Sequence, residues 1–288
     1  MSNKFFKGRV IHGRHIGAKF GVATANLEIL GEIPEIKYGV YFVDVKFGEQ
    51  KKNGVLSFGK RRTFEDDFSV EIHILGFEGE LYGEVLEVEI LKFHRENIKF
   101  QFVELLFDQI KGDVLVAKKY FLRRDVFCKW DDTSKGVISE MGQSVVEKIS
   151  KNKDFLNAKN VLIYAPIKYE IPFVDQLYEE FPEKRYAFPK IVGDEIKFYF
   201  SKFSDLRSGK FGILEPEERD LAEDFDLVFV PAVAVDKVKK RLGRGGGFYD
   251  RFLENVSVKT ICVVPEFAVV EEISVEGHDQ GVDEILTI

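Results

Sequence analysis

The sequence predicts two folded units of different class. The first is an N-terminal, all-β, antiparallel barrel of Greek-key type with a closing helix. The second is a C-terminal α/β unit whose mostly parallel sheet is flanked by helices. Three observations predict this. The length, 288 residues, is about twice the ~150 residues of an ordinary domain. Through roughly the first hundred residues, β-branched and aromatic runs follow one another with no helical period between them. Beyond them, strand-like and helical runs alternate, which is the pattern of a parallel sheet with crossover helices.

Each element follows from its own run. Residues 38–46 (YGVYFVDVK), 68–77 (FSVEIHILGF) and 82–93 (YGEVLEVEILKF) read as strands, separated by breakers such as Gly48, Gly59 and Gly79. From Lys99 to Trp130, apolar residues recur at helical spacing at Phe102, Leu105, Leu106, Ile110, Val114, Ala117 and Phe121. Gly112 weakens the middle of that helix by about 1 kcal/mol relative to alanine. A second helix is expected over 137–156, then a strand over 160–165 (NVLIYA) and a helix over 171–181. Residues 185–201 read as a hairpin turning at Gly193-Asp194, and 225–235 (FDLVFVPAVAV) as a buried strand. A helix over 248–254 and a strand over 258–264 (VKTICVV) follow. No stretch rich in Pro, Gly or Ser separates the halves, so the boundary is expected inside or at the end of the helix near 100–124.

Composition excludes several classes of function. Hydrophobic residues make up 45% and charged residues 32%, enough to bury a core and stay in solution. Forty-two basic against 49 acidic side chains give a net charge of -7, which argues against broad binding to nucleic acid or anionic membranes. No apolar run approaches the ~18 residues of a membrane span, and the opening MSNKFFK lacks a signal-peptide core. Cys128 and Cys262 have no metal-ligand spacing and fit a reducing cytoplasm better than a disulfide framework.

Residues 8–27 (GRVIHGRHIGAKFGVATANL) place glycines at 8, 13, 17 and 21. Gly13 and Gly17 let backbone approach an anion such as phosphate, or simply turn a barrel. Thr24 and Asn26 stand two apart, so in a strand they share a face. A hydroxyl and an amide oxygen there suit Mg²⁺ that keeps most of its waters. Glu71 sits in a strand among Val70, Ile72 and Ile74, where a carboxylate ordinarily faces solvent.

This half resembles the riboflavin kinase family, whose glycine-rich stretch runs into Pro-Thr-Ala-Asn; here the tetrad is Ala23-Thr24-Ala25-Asn26. The likeness continues through Gly39-Val40-Tyr41, Ser57-Phe58-Gly59, Thr63-Phe64 and residues 70–83 to Arg95, Phe100, Leu105 and Asp113. It implies ATP binding at Gly13, Gly17, Thr24 and Asn26, Mg²⁺ on Thr24 and Asn26, and Glu71 as the general base that takes the proton of the ribityl hydroxyl of riboflavin. His12, His15 and His73 are read as structural or surface residues. The string His-Gly-Arg-His is not the His-x-Gly-His of nucleotidyl transferases, so formation of FAD from FMN is not expected.

Residues 241–251 (RLGRGGGFYDR) put four glycines and two arginines between a strand and a helix, a phosphate cradle built from N–H groups and guanidinium charge. A flexible surface loop is the alternative. The string resembles the ATP-binding signature of the 5-formyltetrahydrofolate cyclo-ligase family. Lys119, Leu122 and Arg123, Tyr164-Ala165-Pro166 with Glu170, Pro189-Lys190, residues 209–213, Glu215-Pro216, residues 226–236, and His278-Asp279 with Asp283 fit the same family in order. Ala232 and Lys239 stand where the family usually has glycine, and Val235 where it usually has phenylalanine.

The resemblance implies units at residues 1–118 and 119–288. It implies ATP contacts from Lys119, Arg123, Arg241, Leu242, Gly243, Arg244, Gly245, Gly246, Gly247, Phe248 and Tyr249. Ala165 and Glu170 would contact folate, and Asp250 and Asp279 would hold Mg²⁺. The expected protein is a cytoplasmic, ATP-using, bifunctional enzyme. It would phosphorylate riboflavin to FMN and cyclise 5-formyltetrahydrofolate to 5,10-methenyltetrahydrofolate, without channelling and without a nucleic-acid or membrane partner. Two alternatives are a non-catalytic ATP- or folate-binding C-terminal module behind an active kinase, and a flavin-binding regulatory N-terminal domain.

Overall fold

The computed structural model describes residues 4–12, 23–32, 35–60, 68–209 and 212–288. The chain separates into two compact units, Met1–Phe121 and Leu122–Ile288.

In the first unit six strands close into a barrel: β1 (Lys4–Ile11), β2 (Ala25–Leu30), β3 (Gly39–Phe47), β4 (Gln50–Lys60), β5 (Phe68–Ile74) and β6 (Val85–Arg95). Their order around it is β1-β2-β5-β4-β3-β6, and every pairing is antiparallel. Closure leaves no free sheet edge. Alternation decides which side chains fill the interior. Val70, Ile72 and Ile74 of β5 point into the core, while Ser69, Glu71 and His73 take the opposite phase. β4 opens on the polar run Gln50–Asn53, and for that reason it does not stand out as a strand in the sequence.

β3 is buried on both faces. Tyr41, Val43 and Val45 belong to the barrel interior. Val40 and Phe42 join Val55, Ala117 and Phe121 in a separate cluster, so the first part of α1 (Val103–Asp131) covers the outside of the barrel. The expected closing helix is therefore a lid over one outer patch. A polar clasp fixes its register. Arg95 at the end of β6 grips Asp113 with two hydrogen bonds, Nε to Oδ1 at 2.8 Å and Nη2 to Oδ2 at 2.6 Å. Gln109 Nε2 donates to Oδ1 at 3.0 Å, and His94 Nε2 lies 3.2 Å from the same oxygen. Burial pushes the His94 pKa down, although Asp113 pulls it the other way.

The second unit takes the end of α1 from Leu122 onward and continues with α2 (Lys135–Ile149), α3 (Lys153–Asn157), β7 (Asn160–Leu162) and α4 (Val174–Glu180). The hairpin β8 (Arg185–Val192) and β9 (Glu195–Phe200) follows, then the short β10 (Arg207–Ser208) and β11 (Leu214–Glu215), then β12 (Leu227–Phe229) and β13 (Ala234–Asp236). β14 (Arg241–Leu242), α5 (Phe248–Leu253), β15 (Lys259–Val264), β16 (Val269–Val270) and β17 (Glu284–Thr287) complete it. The main sheet has the order β17-β15-β12-β7-β8-β9. It is parallel except for the β8–β9 hairpin, whose turn uses Gly193 at φ 64°. β14, β13 and β16 form a small separate sheet, and β10 and β11 a two-stranded ribbon. Among the described residues no helix is long and apolar enough to cross a membrane.

Two expectations are corrected. The helix expected over 137–156 is two helices, because Asn152 leaves the helical path and its side chain accepts from Phe155 N at 3.0 Å as the cap of α3. The strand expected over 225–235 is also two, β12 and β13, in different sheets. Pro231 lies between them with no N–H to continue a ladder.

The clasp on α1 gives the first prediction. Asp113→Ala leaves the Arg95 guanidinium without its buried partner, so the first unit should lose about 3 kcal/mol of stability, read from chemical unfolding of the full chain.

Candidate functional sites

The first site is built by strand register. Asn26 of β2 and Ser57 of β4 each stand opposite Glu71 of β5. Directly opposed residues share a face, so three polar side chains form a row across three strands on the outer surface of the barrel. Thr24, two residues before Asn26, donates its hydroxyl to Glu71 Oε2 at 3.4 Å. His73 Nδ1 meets Ala23 O at 2.8 Å and pins the chain entering β2. Glu71 is half-buried rather than fully solvated. The polar trio Thr24, Asn26 and Glu71 thus comes together, with Ser57 as a fourth member that the spacing alone does not reveal. Gly13 and Gly17, with His15, Thr63 and Phe64, lie outside the described residues. His12 stacks on Tyr82 with ring centroids 3.6 Å apart.

The second site is a cavity of about 470 Å³ in the second unit. The glycine loop Gly243–Gly247, the segment Tyr164–Glu170 and the hairpin residues Pro189, Ile191 and Ile196 line it. The loop needs its glycines: Gly245 has φ 98° and Gly247 φ 67°, a region that side chains rarely adopt. Arg241 at its start is buried, and its Nη2 bonds Asp250 Oδ1 at 2.7 Å, in the first turn of α5. Gln280 N donates to the same oxygen at 3.2 Å. Arg123 Nε donates to Gly243 O at 2.8 Å, and its Nη2 lies 3.6 Å from the place of a Cβ on Gly245. Burial lowers the Arg123 pKa while the charges of Asp279 and Asp250 raise it, so both carboxylates act on this guanidinium.

Arg244 reaches across to the other wall. Its Nε bonds Glu170 Oε1 at 3.2 Å, and its Nη2 bonds Lys168 O. Glu170 Oε2 accepts Ile167 N at 3.0 Å. Tyr169, between these residues, has φ 70°, a strained conformation for tyrosine. It is held by stacking on Phe127 at 4.6 Å and by its hydroxyl bonding Asp131 Oδ1 at 2.9 Å. This strut aims Glu170 into the cavity and has no signature in linear spacing. Ala165, Phe248 and Tyr249 also line the cavity, and Leu242 is core beneath the loop.

Asp279 closes its own turn by accepting Glu276 N at 2.7 Å. Lys119 is a buried lysine on α1, one helical turn before Arg123 and in the first compact unit. No group of three or more His, Cys, Asp or Glu able to hold a metal occurs among the described residues. The oxygens of Thr24 and Asn26 in one site, and of Asp250 and Asp279 in the other, are hard donors. They fit a Mg²⁺ whose other ligands are water and phosphate.

Lys239 explains a departure from the family pattern. Its φ is 67°, so the position favours glycine. The turn is held by Asp236, whose Oδ1 accepts Val238 N at 3.0 Å and Lys240 N at 2.9 Å. The lysine therefore stores local strain and keeps the shape. Lys239→Gly should raise thermal stability by up to about 1 kcal/mol and leave nucleotide-dependent activity unchanged.

Burial pushes the Glu170 carboxyl above its ordinary 4.5, against the lowering effects of Ile167 N and Arg244. A folded state that holds the proton more tightly loses stability as pH climbs from the ordinary value through the raised one. Glu170→Gln removes that loss. Its melting temperature should gain on the parent protein as pH rises from 4.5 toward neutrality, in a pH series of thermal melts.

Comparison with known proteins follows the same division. Residues 2–121 match the riboflavin kinase family model, and residues 115–288 match that of the 5-formyltetrahydrofolate cyclo-ligase family. A bifunctional riboflavin kinase/FMN adenylyltransferase of Listeria monocytogenes is 36% identical over 41% of this chain and 38% of its own length. A protein of the same description from Haemophilus influenzae is 39% identical over 40% of this chain and 37% of its own. The chain thus spans less than two fifths of either relative. The solved 5,10-methenyltetrahydrofolate synthetase of Aquifex aeolicus aligns with TM-score 0.54 and 34% identity, over 59% of this chain and 89% of that one. By these matches and by the glycine-loop cavity, the chain belongs to the 5-formyltetrahydrofolate cyclo-ligase family, and its first unit is similar to riboflavin kinases.

Proposed function

We propose that this chain is a bifunctional, ATP-dependent enzyme of the cytoplasm, with units bounded at residues 1–118 and 119–288. The first unit phosphorylates riboflavin to FMN, and the second cyclises 5-formyltetrahydrofolate to 5,10-methenyltetrahydrofolate. The observation that carries the first activity is the hydrogen bond from Thr24 to Glu71 at 3.4 Å, with Asn26 in register beside it. Phosphoryl transfer asks for positioning, charge neutralisation and a base near the nucleophile. Glu71 accepts the proton of the ribityl hydroxyl as that oxygen attacks the γ-phosphorus of ATP and ADP departs. Thr24 and Asn26 would hold Mg²⁺, which would neutralise phosphate charge when bound.

The second activity is carried by the glycine loop: Arg244 lines its cavity, and Arg123 bonds the loop carbonyl of Gly243. A formamide oxygen is a poor leaving group. Transfer of the γ-phosphoryl to it breaks the bond to ADP, which departs, and gives an iminium phosphate; N10 attacks the former formyl carbon and gives up its proton, and the C–O bond breaks to release phosphate. Lys119, Arg123 and Arg244 balance the phosphate charge. Asp250 and Asp279 would hold Mg²⁺, and Ala165 and Glu170 would face the folate.

Purified protein given riboflavin, Mg²⁺ and labelled ATP should yield FMN. Given 5-formyltetrahydrofolate and ATP, it should develop methenyltetrahydrofolate absorbance. Glu71→Gln should cut FMN formation at least about a hundredfold and leave cyclisation intact, whereas Arg244→Met should do the reverse. A Glu71→Gln protein with normal kinase rates removes Glu71 as the base.

A further inference from the structure

Three buried side-chain polar atoms have no hydrogen-bond partner among the described residues: Glu215 Oε1, Arg241 Nε and Tyr249 Oη. All three belong to residues lining the cavity of the second unit. Buried polar groups are paired in the great majority of cases, and an unpaired one carries its full desolvation penalty. Three such atoms on residues that line one cavity make that cavity the place to look for their partners. Arg241 and Tyr249 belong to the glycine-loop signature already considered, and Glu215 does not.

Glu215 lies on β11 opposite Arg207 of β10, and the residue is only 8% exposed. Its carboxylate is seated over Gly209, where an added Cβ would fall 2.2 Å from Oε2 and 2.3 Å from Cδ. Glycine at 209 therefore makes the space that the carboxylate fills. The other acidic side chains of the cavity are engaged: Glu170 by Arg244 and Ile167 N, and Asp250 by Arg241 and Gln280 N. The cavity lining also includes Pro189, Ile191 and Ile213, none of which can donate a side-chain hydrogen bond, and the nearby Lys190 directs its ammonium to Pro216 O at 3.3 Å and to Glu218 at 3.6 Å.

We propose that Glu215 is a specificity-determining residue that accepts hydrogen bonds from the N–H donors of the substrate's aminopyrimidinone ring. The assignment rests on the cyclo-ligase reading and deepens it by orienting the folate. A carboxylate repels anions, so neither the glutamate tail of the folate nor the phosphates of ATP can occupy this part of the wall. The reduced pterin presents a flat body with several N–H donors at one edge; the adenine of ATP also carries an amino group, so the test removes the 2-amino group of the pterin alone. Glu170 faces the same cavity with its oxygens already bonded, which leaves Glu215 as the acceptor that a ring donor completes.

The test measures binding of 5-formyltetrahydrofolate by calorimetry to the full-length protein and to its Glu215→Gln and Glu215→Met variants. A second ligand, with methyl in place of the 2-amino group, is measured alongside. Losing a hydrogen bond to a charged group should weaken binding of the parent ligand about 10- to 100-fold in Glu215→Met, with a smaller loss in Glu215→Gln. The methyl ligand should lose less affinity than the parent ligand between wild type and Glu215→Met, because only its ring N–H is left for the carboxylate to accept. Unliganded melting temperatures should hold or rise, because an orphaned buried acceptor has been removed. Parent-ligand affinity within about twofold of wild type in both variants, or equal losses for the two ligands, overturns the assignment, whatever happens to stability. Wild-type protein that binds and turns over 5-formyltetrahydrofolate while Glu215→Met matches its affinity sinks the role of Glu215 alone. Wild-type protein that binds no folate sinks the cyclo-ligase reading together with it.

Discussion

The site in the second unit depends on one buried ion pair. Arg241 and Asp250 meet at 2.7 Å with side chains only 2% and 17% exposed. Such a pair contributes little net stability, because taking both charges out of water offsets most of their attraction. It supplies geometry instead. Arg241 begins β14 just before the glycine loop, and Asp250 lies in the first turn of α5 just after it, so the pair ties the two ends of the loop together. Removing either partner strands a charge in the core, which makes the arrangement all-or-none. Gln280 and Arg123 then join through the same carboxylate and the loop carbonyl.

The first unit holds its site by a different device. Its polar row is a product of register: Asn26, Glu71 and Ser57 face one another because the hydrogen-bond ladders of β2, β5 and β4 align them. The interior on the reverse side, Val70, Ile72 and Ile74, holds that register. A slip by one residue would turn these apolar side chains outward and bury Glu71. Stability and site geometry are thus two readings of one alternation. The two designs share hard oxygen donors, and they differ in how those donors are held.

Much of this is legible in the linear pattern of residues. The fold class of each unit, the β-rich first hundred residues, the long helix and the glycine loop follow from periodicity and turn chemistry, and Thr24, Asn26 and Glu71 follow from the family motif. The features that escape the pattern have local causes. β4 starts on Gln50-Lys51-Lys52-Asn53, residues that look like loop until the barrel supplies partners on both sides. The run 225–235 is almost uniformly apolar, and only the missing N–H of Pro231 divides it between two sheets. Lys239 reads as a defect in the loop motif; its φ of 67° identifies a strained residue in a turn that Asp236 enforces.

By itself the sequence determined the chemistry available: which carboxylates, guanidiniums and glycines exist, and which lie two apart on a strand or four apart on a helix. Local spacing is enough for that, because strand and helix periods are properties of the backbone. Only the tertiary structure decided which groups are already paired. It set Glu170 against Arg244 across 74 positions of chain, closed Arg241 onto Asp250, and left an oxygen of Glu215 without a donor among the described residues. Pairing across such separations depends on how strands are ordered and helices packed, and one-dimensional spacing does not encode that order.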